Sequence, residues 1–499
     1  MSAPVTRPAH SDAAVIDVGS NSVRLVLYRI EGRAIWTVYN EKVLAGLGRD
    51  LATTGRLSVQ GAATALTALK RFRALIDASH PAQVFVAATA AVRQAADGAE
   101  FCLKVEREAG LRPRVLTGEE EAYYAALGVL EGAPDSLGLV GDLGGASLEL
   151  TRLVDGRPAR GLTLPLGPFA MPEVTRTNMD MVRSNAAQVL KPLASKFAAD
   201  TLNAVGGAWR NFALLQMRLS DYPLEILHEY EIGRVEVLEA ARFISQQSRG
   251  SLERIEGISR RRVEALPYAA TILEVLVEQL NVRRVVFSAY GLREGLLLEA
   301  MDRAVQVRDP LLDGCAALGA RREIAEALGD ALDQWLGKAF ASLPPVFGSR
   351  DRRLVSAAGR LADLGAQLHP DHRAHLVFEQ VLRAPIPAMN HSERVFLACS
   401  AFFRHTGSSQ VPAAGLVARL LSPDRLSRAR ALGTAIRLGC DLSGRSPELL
   451  SHTRLELTVN DLLLRAEGSW REILLGEQTA KRARTLAGIL GLRARLESY

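Results

Sequence analysis

The sequence predicts an α/β architecture: two related lobes of mixed strands and helices, followed by a helical region. Three observations carry this. Residues 13–30 and 138–154 repeat one pattern, an apolar strand, a polar turn built on Asp and Gly, and a second apolar strand. Between and after them, amphipathic helical stretches alternate with short apolar strands as far as residue 300, the texture of α/β lobes. Beyond about Met301 strand signals fade, and stripes such as REIAEALGDALDQWLGKAF take over. A chain of 499 residues is too long for one ordinary core, which agrees with several domains.

The elements follow in order. Residues 1–12 are polar, carry Pro4 and Pro8 and lack an apolar signal-peptide core, so they read as a flexible tail. Lobe I is expected over 13–130. It opens with the 13–30 hairpin, continues with a helix over 58–80 through Leu66, Leu69, Phe72 and Ile76, and then a strand over 83–89. A second helix spans 97–110, and RVLTGEEEAYYAALGVLEG runs from strand into helix. Lobe II is expected over 131–302: the 138–154 hairpin, a helix over 180–200, a strand over 201–206 ending in Gly-Gly, a helix over 262–280, a strand over 282–288 and a closing helix GLREGLLLEAM. Residues 303–310 form the junction, and 309–499 are expected to be all helical.

Composition excludes some classes. The 48% hydrophobic and 23% charged balance is globular, not disordered. Cys102, Cys315, Cys399 and Cys440 form no CxxC pair, which argues against zinc and a disulfide framework and for a reducing, cytoplasmic setting. No run reaches membrane-spanning length, and no nucleic-acid recognition motif appears. Net charge is +6, and residues 309–499, with 25 basic and 20 acidic side chains, supply five of those charges. That surplus suits an acidic partner.

The two hairpin turns carry the chemistry. Asp17-Val18-Gly19-Ser20-Asn21-Ser22 and Asp142-Leu143-Gly144-Gly145-Ala146-Ser147 each place an Asp at a strand end, followed by Gly and small polar residues. One such turn reads as ordinary hairpin chemistry. Two matched turns at the heads of two similar units read as paired anion-binding loops. Their backbone N–H groups form nests, and Ser20, Asn21 and Ser22 add donors. The Asp residues would repel a bare phosphate, so their partner is a cation or a nucleophilic water; Mg²⁺ takes carboxylate and phosphate oxygens together.

With these loops go IDVGSNSVRL (16–25), ATAAVRQA (88–95), LTGEEEAYYA (116–125), GDLGGASLEL (141–150), VGGAWRNFA (205–213) and YGLREGLLLE (290–299). In this order the chain resembles the exopolyphosphatase and guanosine-pentaphosphate phosphatase family of the actin-like, sugar-kinase and heat-shock ATPase superfamily. The resemblance covers about the first 300 residues and implies two actin-like (ribonuclease H-like) lobes. It implies Glu121 as catalytic base, with Glu120 as the alternative register. Asp142 and Glu149 assist as catalytic and metal residues, and Asp17 is a further metal candidate. The phosphate is held by Gly19, Ser20, Asn21, Ser22, Arg93, Gly144, Gly145, Ala146, Ser147 and Gly207. Mg²⁺, with Mn²⁺ as substitute, is the implied cofactor. Inorganic polyphosphate or guanosine pentaphosphate is the implied partner, and a homodimer the implied assembly. Thr117 and Glu120 also have capping-box spacing, so Glu119 and Glu120 read as structural. Arg293 and Glu294 read as a structural pair.

The chain departs from the family pattern in three places. Ala146 replaces a loop glycine, Leu148 a threonine, and Ala208 the threonine of a later Gly-Gly-Thr. A methyl at 146 is expected to crowd the anion. In long relatives the last domain is HD-like, but here Ala362 stands where its metal-binding His-Asp pair needs histidine, leaving Asp363 alone. His369, His372, His375, His391 and His405 cluster nearby without supplying that pair. The arginine-rich stretches 424–433 and 480–496 are candidate tracks for a polyanion or plain solvated helix faces. The leading expectation is terminal phosphate release from polyphosphate. The others are hydrolysis of guanosine pentaphosphate, an actin-like ATPase or kinase, and a catalytically weak sensor or adaptor.

Overall fold

The structure, a computed structural model, describes residues 11–172, 174, 177–254, 263, 265–319 and 322–499. The expected N-terminal tail therefore lies outside the described residues up to residue 10, as do residues 262 and 264 of the expected 262–280 helix. The chain divides into two compact units, Met1–Arg308 and Asp309–Tyr499.

The first unit holds two sheets. The first has five strands in the order β3-β2-β1-β4-β5: β1 (Ser11–Val18), β2 (Val23–Glu31), β3 (Ala34–Val43), β4 (Gln83–Ala88) and β5 (Arg114–Val115). β1–β2–β3 is an antiparallel meander, and β4 and β5 add in parallel. β1 is central, and covered on both faces. Alternation along it sends Ala14, Ile16 and Val18 into one core with Leu69 and Phe72 of the helix Val59–Ser79 and Phe101 and Val105 of Gly98–Ala109. Ala13 and Val15 point the other way, into a core with Tyr124, Leu296 and Leu297. A strand buried on both faces needs an unbroken apolar run, which is what AAVI supplies. β3 was not read from the sequence. It is an edge strand whose second half carries Asn40, Glu41 and Lys42, with no apolar period to reveal it.

The second sheet runs β11-β12-β10-β6-β7-β8, with β9 also on β7. Here β6 is Gly138–Leu143, β7 Leu148–Val154, β8 Arg157–Pro158, β9 Leu162–Leu164, β10 Thr201–Val205, β11 Tyr230–Gly233 and β12 Arg284–Phe287. β10 pairs in parallel with β6 and β12, and its five residues are all buried. Its core includes the helix Leu266–Gln279, whose residues are buried almost all round.

Two helices link these sheets. Gly118–Gly132 leaves the first, and Leu292–Ala300 leaves the second but puts Leu296 and Leu297 into the core under β1. The closing helix of lobe II thus packs on lobe I, which chain order alone does not reveal. The two helices cross backbone to backbone. A Cβ on Gly295 would sit 1.9 Å from the Tyr124 carbonyl oxygen, and one on Gly128 1.9 Å from that of Gly291.

The second unit is helical from Pro310–Leu318 to Pro447–Ser451, but the all-helical expectation needs an amendment. A three-stranded sheet closes it, β13 (Thr453–Leu457), β14 (Asp461–Ala466) and β15 (Arg493–Ser498), in the order β13-β14-β15. The arginine-rich 480–496 stretch is therefore not one helix face. Its helix, Glu477–Leu490, stops at Gly491 in the left-handed region, and Arg493 and Arg495 then pair with Asp461 at 3.3 and 3.2 Å. Alternating charges on an exposed strand give no apolar signal, so the sequence reads through it as helix. In the 424–433 stretch, Arg425 stacks 4.1 Å over the Phe347 ring and Arg428 donates to the Pro344 carbonyl.

Ala362 is buried, and Asp363 is bound by Arg445 at 2.8 Å. Among the described residues no three His, Cys, Asp or Glu side chains form a metal cluster, so the histidine group is not a ready-made metal site. His405 accounts for itself otherwise: its Nε2 lies 2.9 Å from the Leu364 carbonyl. Burial, with Arg404 adding to it, pushes its imidazole down to about 3. The neutral ring is thus favoured in the fold, while the unfolded chain takes up the proton near 6.5. Stability contributed here is complete above about pH 6.5 and is lost as pH falls towards 3. His405→Gln is expected to flatten the acid limb of the thermal-unfolding midpoint between pH 6.5 and 4; an unchanged limb would show that other groups dominate it.

Candidate active site

The two expected loops have the same construction. In each, the glycine after the strand donates its N–H to the carbonyl of the residue three along: Gly19 to Ser22 at 3.0 Å, and Gly144 to Ser147 at 2.9 Å. In each, the Asp sits one pair back on the ladder, Asp17 opposite Arg24 and Asp142 opposite Glu149. The turns are copies, but the facing residue changes sign. One hairpin presents a carboxylate–guanidinium pair and the other two carboxylates.

The loops meet. A Cβ on Gly145 would lie 2.9 Å from the Ser20 Cβ and 3.4 Å from the Asn21 amide nitrogen, so glycine is what lets the turns touch. Ser20 is wedged there, buried, with its carbonyl taken by the Gly48 N–H at 2.8 Å. The Asn21 carbonyl accepts from Gly46 and the Gly145 carbonyl from Phe169. Asn21 and Gly144 form the solvent-exposed tips. The departures at 146 and 148 are absorbed elsewhere: Ala146 is fully buried with Gly167 against its backbone, and Leu148 lies in the lobe II core. The methyl at 146 is thus not on the exposed surface of the turn, where it was expected to crowd an anion.

Gly206 adopts φ +111°, which a side chain resists, and a Cβ there would meet the Leu143 carbonyl at 2.5 Å and Asp142 Oδ1 at 3.1 Å. It brings the helix Gly207–Leu219 to begin beside Asp142, where its N-terminal dipole favours negative charge. A Cβ on Gly207 itself would meet nothing within 4 Å, so that position faces open space.

The three glutamates of 119–121 separate cleanly. Glu119 pairs with Arg160 and stands exposed. Glu120 closes the capping box, accepting from the Thr117 N–H at 2.8 Å and pairing with Arg114. Glu121 alone turns inward and is 6% exposed. It accepts from Arg93 Nη1, which also reaches the Leu116 carbonyl at 2.6 Å. Arg93 Nη2 is buried without a hydrogen-bond partner among the described residues. Leaving a guanidinium N–H so is costly, and an anion beside it removes the cost.

The carboxylates here are crowded. Burial first, and then the charge of Glu149, push the Glu121 carboxyl up to about 9, against the pull of Arg93. Asp142 is pushed up to about 7 by burial, Glu149 and Asp17. Asp17 is raised by burial against Arg293, Arg24 and Lys42. Glu149 is raised by burial, though Ser147 donates to it and Thr163 Oγ1 donates at 2.8 Å. Arg24 is lowered to about 10 by burial and by its cationic neighbours Arg293 and Arg210. Burial alone would lower Arg293, but Glu294, Tyr28, Asp17 and Asp142 hold it above its ordinary value.

Arg293 is the residue sequence reasoning undervalued. Glu294 is structural, as read: it caps its helix by accepting from the Gly291 N–H at 2.9 Å and accepts a hydrogen bond from the Tyr28 hydroxyl at 2.6 Å. Arg293 instead is the cation that both loop aspartates feel. The signal lay in the YGLREGLLLE motif, where the sequence reads Arg293 only as half of a structural pair with Glu294.

A divalent cation suits the donors in part. Among the described residues Asp17, Asp142 and Glu149 do not form a three-ligand cluster, and Glu149 accepts hydrogen bonds from Ser147 and Thr163. Asp17 and Asp142 are two hard oxygen donors; the charge of Asp17 raises the proton affinity of Asp142, and both feel Arg293. They fit Mg²⁺, which takes one or two carboxylates and completes its shell with water and phosphate.

Two lobes whose matched Asp-Gly turns touch through Ser20 and Gly145, beside buried acids and arginines, define an actin-like α/β protein. The chain belongs to the Ppx/GppA phosphatase family, whose model matches residues 26–304, and a model described as "Exopolyphosphatase, C-terminal" matches 313–496. A Ppx/GppA family member from Aquifex aeolicus is 26% identical, with a TM-score of 0.51 over 58% of this chain and 97% of its own. A protein described as an exopolyphosphatase from Cytophaga hutchinsonii is 23% identical, with a TM-score of 0.52 over 57% of this chain and 96% of its own, a likeness of fold. Among the described residues no helix is long and apolar enough to cross a membrane.

Proposed function

We propose that this phosphatase-family chain is an exopolyphosphatase, releasing orthophosphate from the end of inorganic polyphosphate. One observation carries the reading: Glu121 is buried against Arg93, whose second terminal nitrogen has no hydrogen-bond partner among the described residues, beside the two touching loops. A water activator and a phosphate grip are thus adjacent. The terminal phosphate would lie against loops 19–22 and 144–147, with Arg93 Nη2 donating to it. Asp17 and Asp142 would hold Mg²⁺ or Mn²⁺, and a bound divalent cation supplies charge neutralisation and polarises phosphoryl oxygens. Burial and then the Glu149 charge favour the protonated Glu121, while Arg93 favours its carboxylate; a cation held by Asp17 and Asp142 would offset the smaller contribution of Asp142 and add to the pull of Arg93. Glu121 then takes a proton from water as the water oxygen bonds to the terminal phosphorus. The bridging P–O bond breaks, and the shortened chain leaves as the second product. Polymer rather than nucleotide is favoured by charge: residues 309–499 carry five of the six net positive charges.

The test is phosphate release from long-chain polyphosphate, guanosine pentaphosphate and ATP, each with Mg²⁺. Turnover of polyphosphate well above the other two is expected. Activity confined to guanosine pentaphosphate would select that substrate instead. Turnover of ATP alone would favour an ATPase, and none with any substrate a sensor or adaptor.

A further inference from the structure

The turn between β2 and β3 holds a buried arginine, Arg33, that the reaction does not use. Its Nε donates to Glu131 Oε2 at 2.9 Å. Its Nη1 donates to two backbone carbonyls, those of Gln306 and Arg308, each at 2.9 Å. One planar guanidinium thus joins three segments far apart in the chain, a task its fixed fork suits. Glu131 shows that the contact is needed. Its side chain is wholly buried in the last turn of the helix Gly118–Gly132, where burial and the negative end of the helix dipole both oppose a carboxylate. Arg33 supplies the charge that offsets both. At the other end of the same helix, about 15 Å away along its axis, is Glu121.

The Arg308 carbonyl that Arg33 grips is the last of the first unit. The residues before it are tied down as well. Gln306 Nε2 donates to the Met301 carbonyl at 2.9 Å, and the Val305 and Gln306 N–H groups donate to the Asp302 carbonyl at 2.8 and 3.0 Å. At the next residue the ties belong to the second unit. Asp309 caps the helix Pro310–Leu318 by accepting from the Leu311 N–H at 2.9 Å, and Arg353 pairs with it at 2.6 Å. Pro310 further restricts Asp309 to extended backbone. Consecutive residues are therefore held by two arginines, one from each unit, with no slack chain between the two grips. A flexible linker instead leaves a run of unbound residues free to sample many conformations.

We infer that Arg33 is a positioning residue: it fastens the chain exit, residues 303–308, to the end of the helix that carries Glu121, and leaves the link between Arg308 and Asp309 as the place where the chain turns. A displacement of the exit then reaches Glu131, and with it the Glu121 helix, through a single side chain. The effect on catalysis rests on the assignment of Glu121 as the base. The fastening stands on its own geometry.

Limited trypsin digestion of the full chain, with the fragments weighed by mass spectrometry, reads the fastening without any substrate. Arg308 is exposed, but its carbonyl is held, so cleavage there needs the exit to open. Arg33→Lys keeps a charge for Glu131 but offers a compact ammonium in place of the fork. It is expected to speed cleavage after Arg303 and Arg308 by about tenfold. Polyphosphate hydrolysis should lose about tenfold in kcat with KM within about twofold, the mark of a displaced catalytic group and not of a lost substrate contact. Arg33→Met combined with Glu131→Leu removes both buried charges, so the fold survives while the two carbonyls go unbound. Fast cleavage and low kcat should persist in it. Arg29→Gln, at a half-exposed pair on the same strand, should change neither by more than about twofold. Cleavage as slow in both Arg33 variants as in the parent overturns the fastening. Fast cleavage with the kcat of the parent overturns the positioning of Glu121. If Glu121→Gln hydrolyses polyphosphate as the parent does, the catalytic reading fails, and the cleavage result still decides the fastening by itself.

Discussion

Glu121→Gln is expected to slow phosphate release by about 10²–10⁴-fold, the usual contribution of a general base. Substrate affinity should change little. Gln keeps the shape and an oxygen for Arg93 to donate to, so the phosphate grip survives while proton uptake is lost. The neighbouring glutamates supply internal controls. Glu120→Gln weakens a helix cap and a partly exposed pair with Arg114, so it should lower stability by about 1 kcal/mol or less and leave kcat within a few-fold. Glu119→Gln, at an exposed pair, should do neither. The measurement is kcat and KM for polyphosphate on all three variants. Undiminished kcat in Glu121→Gln, with binding intact, would falsify the base assignment; a fall shared with Glu120→Gln would point to helix disruption instead.

The second large effect falls on stability. Gly295→Val places a branched side chain where even a Cβ would lie 1.9 Å from the Tyr124 carbonyl, a backbone atom that cannot swing away. The helices Gly118–Gly132 and Leu292–Ala300 must separate. The expected cost is about 3 kcal/mol or more, at the upper end of overpacking effects. Activity should fall as well, because the first helix carries Glu121 and the second Arg293. Gly488→Ala makes an ordinary glycine-to-alanine change in a helix where the new Cβ meets nothing within 4 Å. It should stabilise by about 0.5–1 kcal/mol. Chemical denaturation of both variants is the check, and a Gly295→Val as stable as the parent would mean the crossing relaxes freely.

Much of the site was legible because loop chemistry is local. An Asp at a strand end followed by Gly-Ser-Asn-Ser or Gly-Gly-Ala-Ser is written in consecutive residues, and both turns close as such sequences require. The capping box was readable for the same reason, since its two bonds join residues three apart. Arg293 was not. Its significance lies in nearness to Asp17 and Asp142, residues far off in the chain, and no short window contains all three. The closing sheet also escaped, because half-exposed strands such as Arg493–Ser498 alternate charges, not apolar groups.

The sequence by itself determined the two hairpins, the helical stripes, the separate C-terminal unit with its positive surplus, and the family resemblance. All of these depend on local pattern or on motifs in order. Tertiary structure decided which of three adjacent glutamates faces inward, that Ser20 is a wedge between the turns, that Glu149 is held by Ser147 and Thr163, and that Arg493 and Arg495 pair with Asp461 on a closing sheet. Those outcomes turn on burial and on charges meeting across the fold. Both are set by distance in space, which a linear chain does not record.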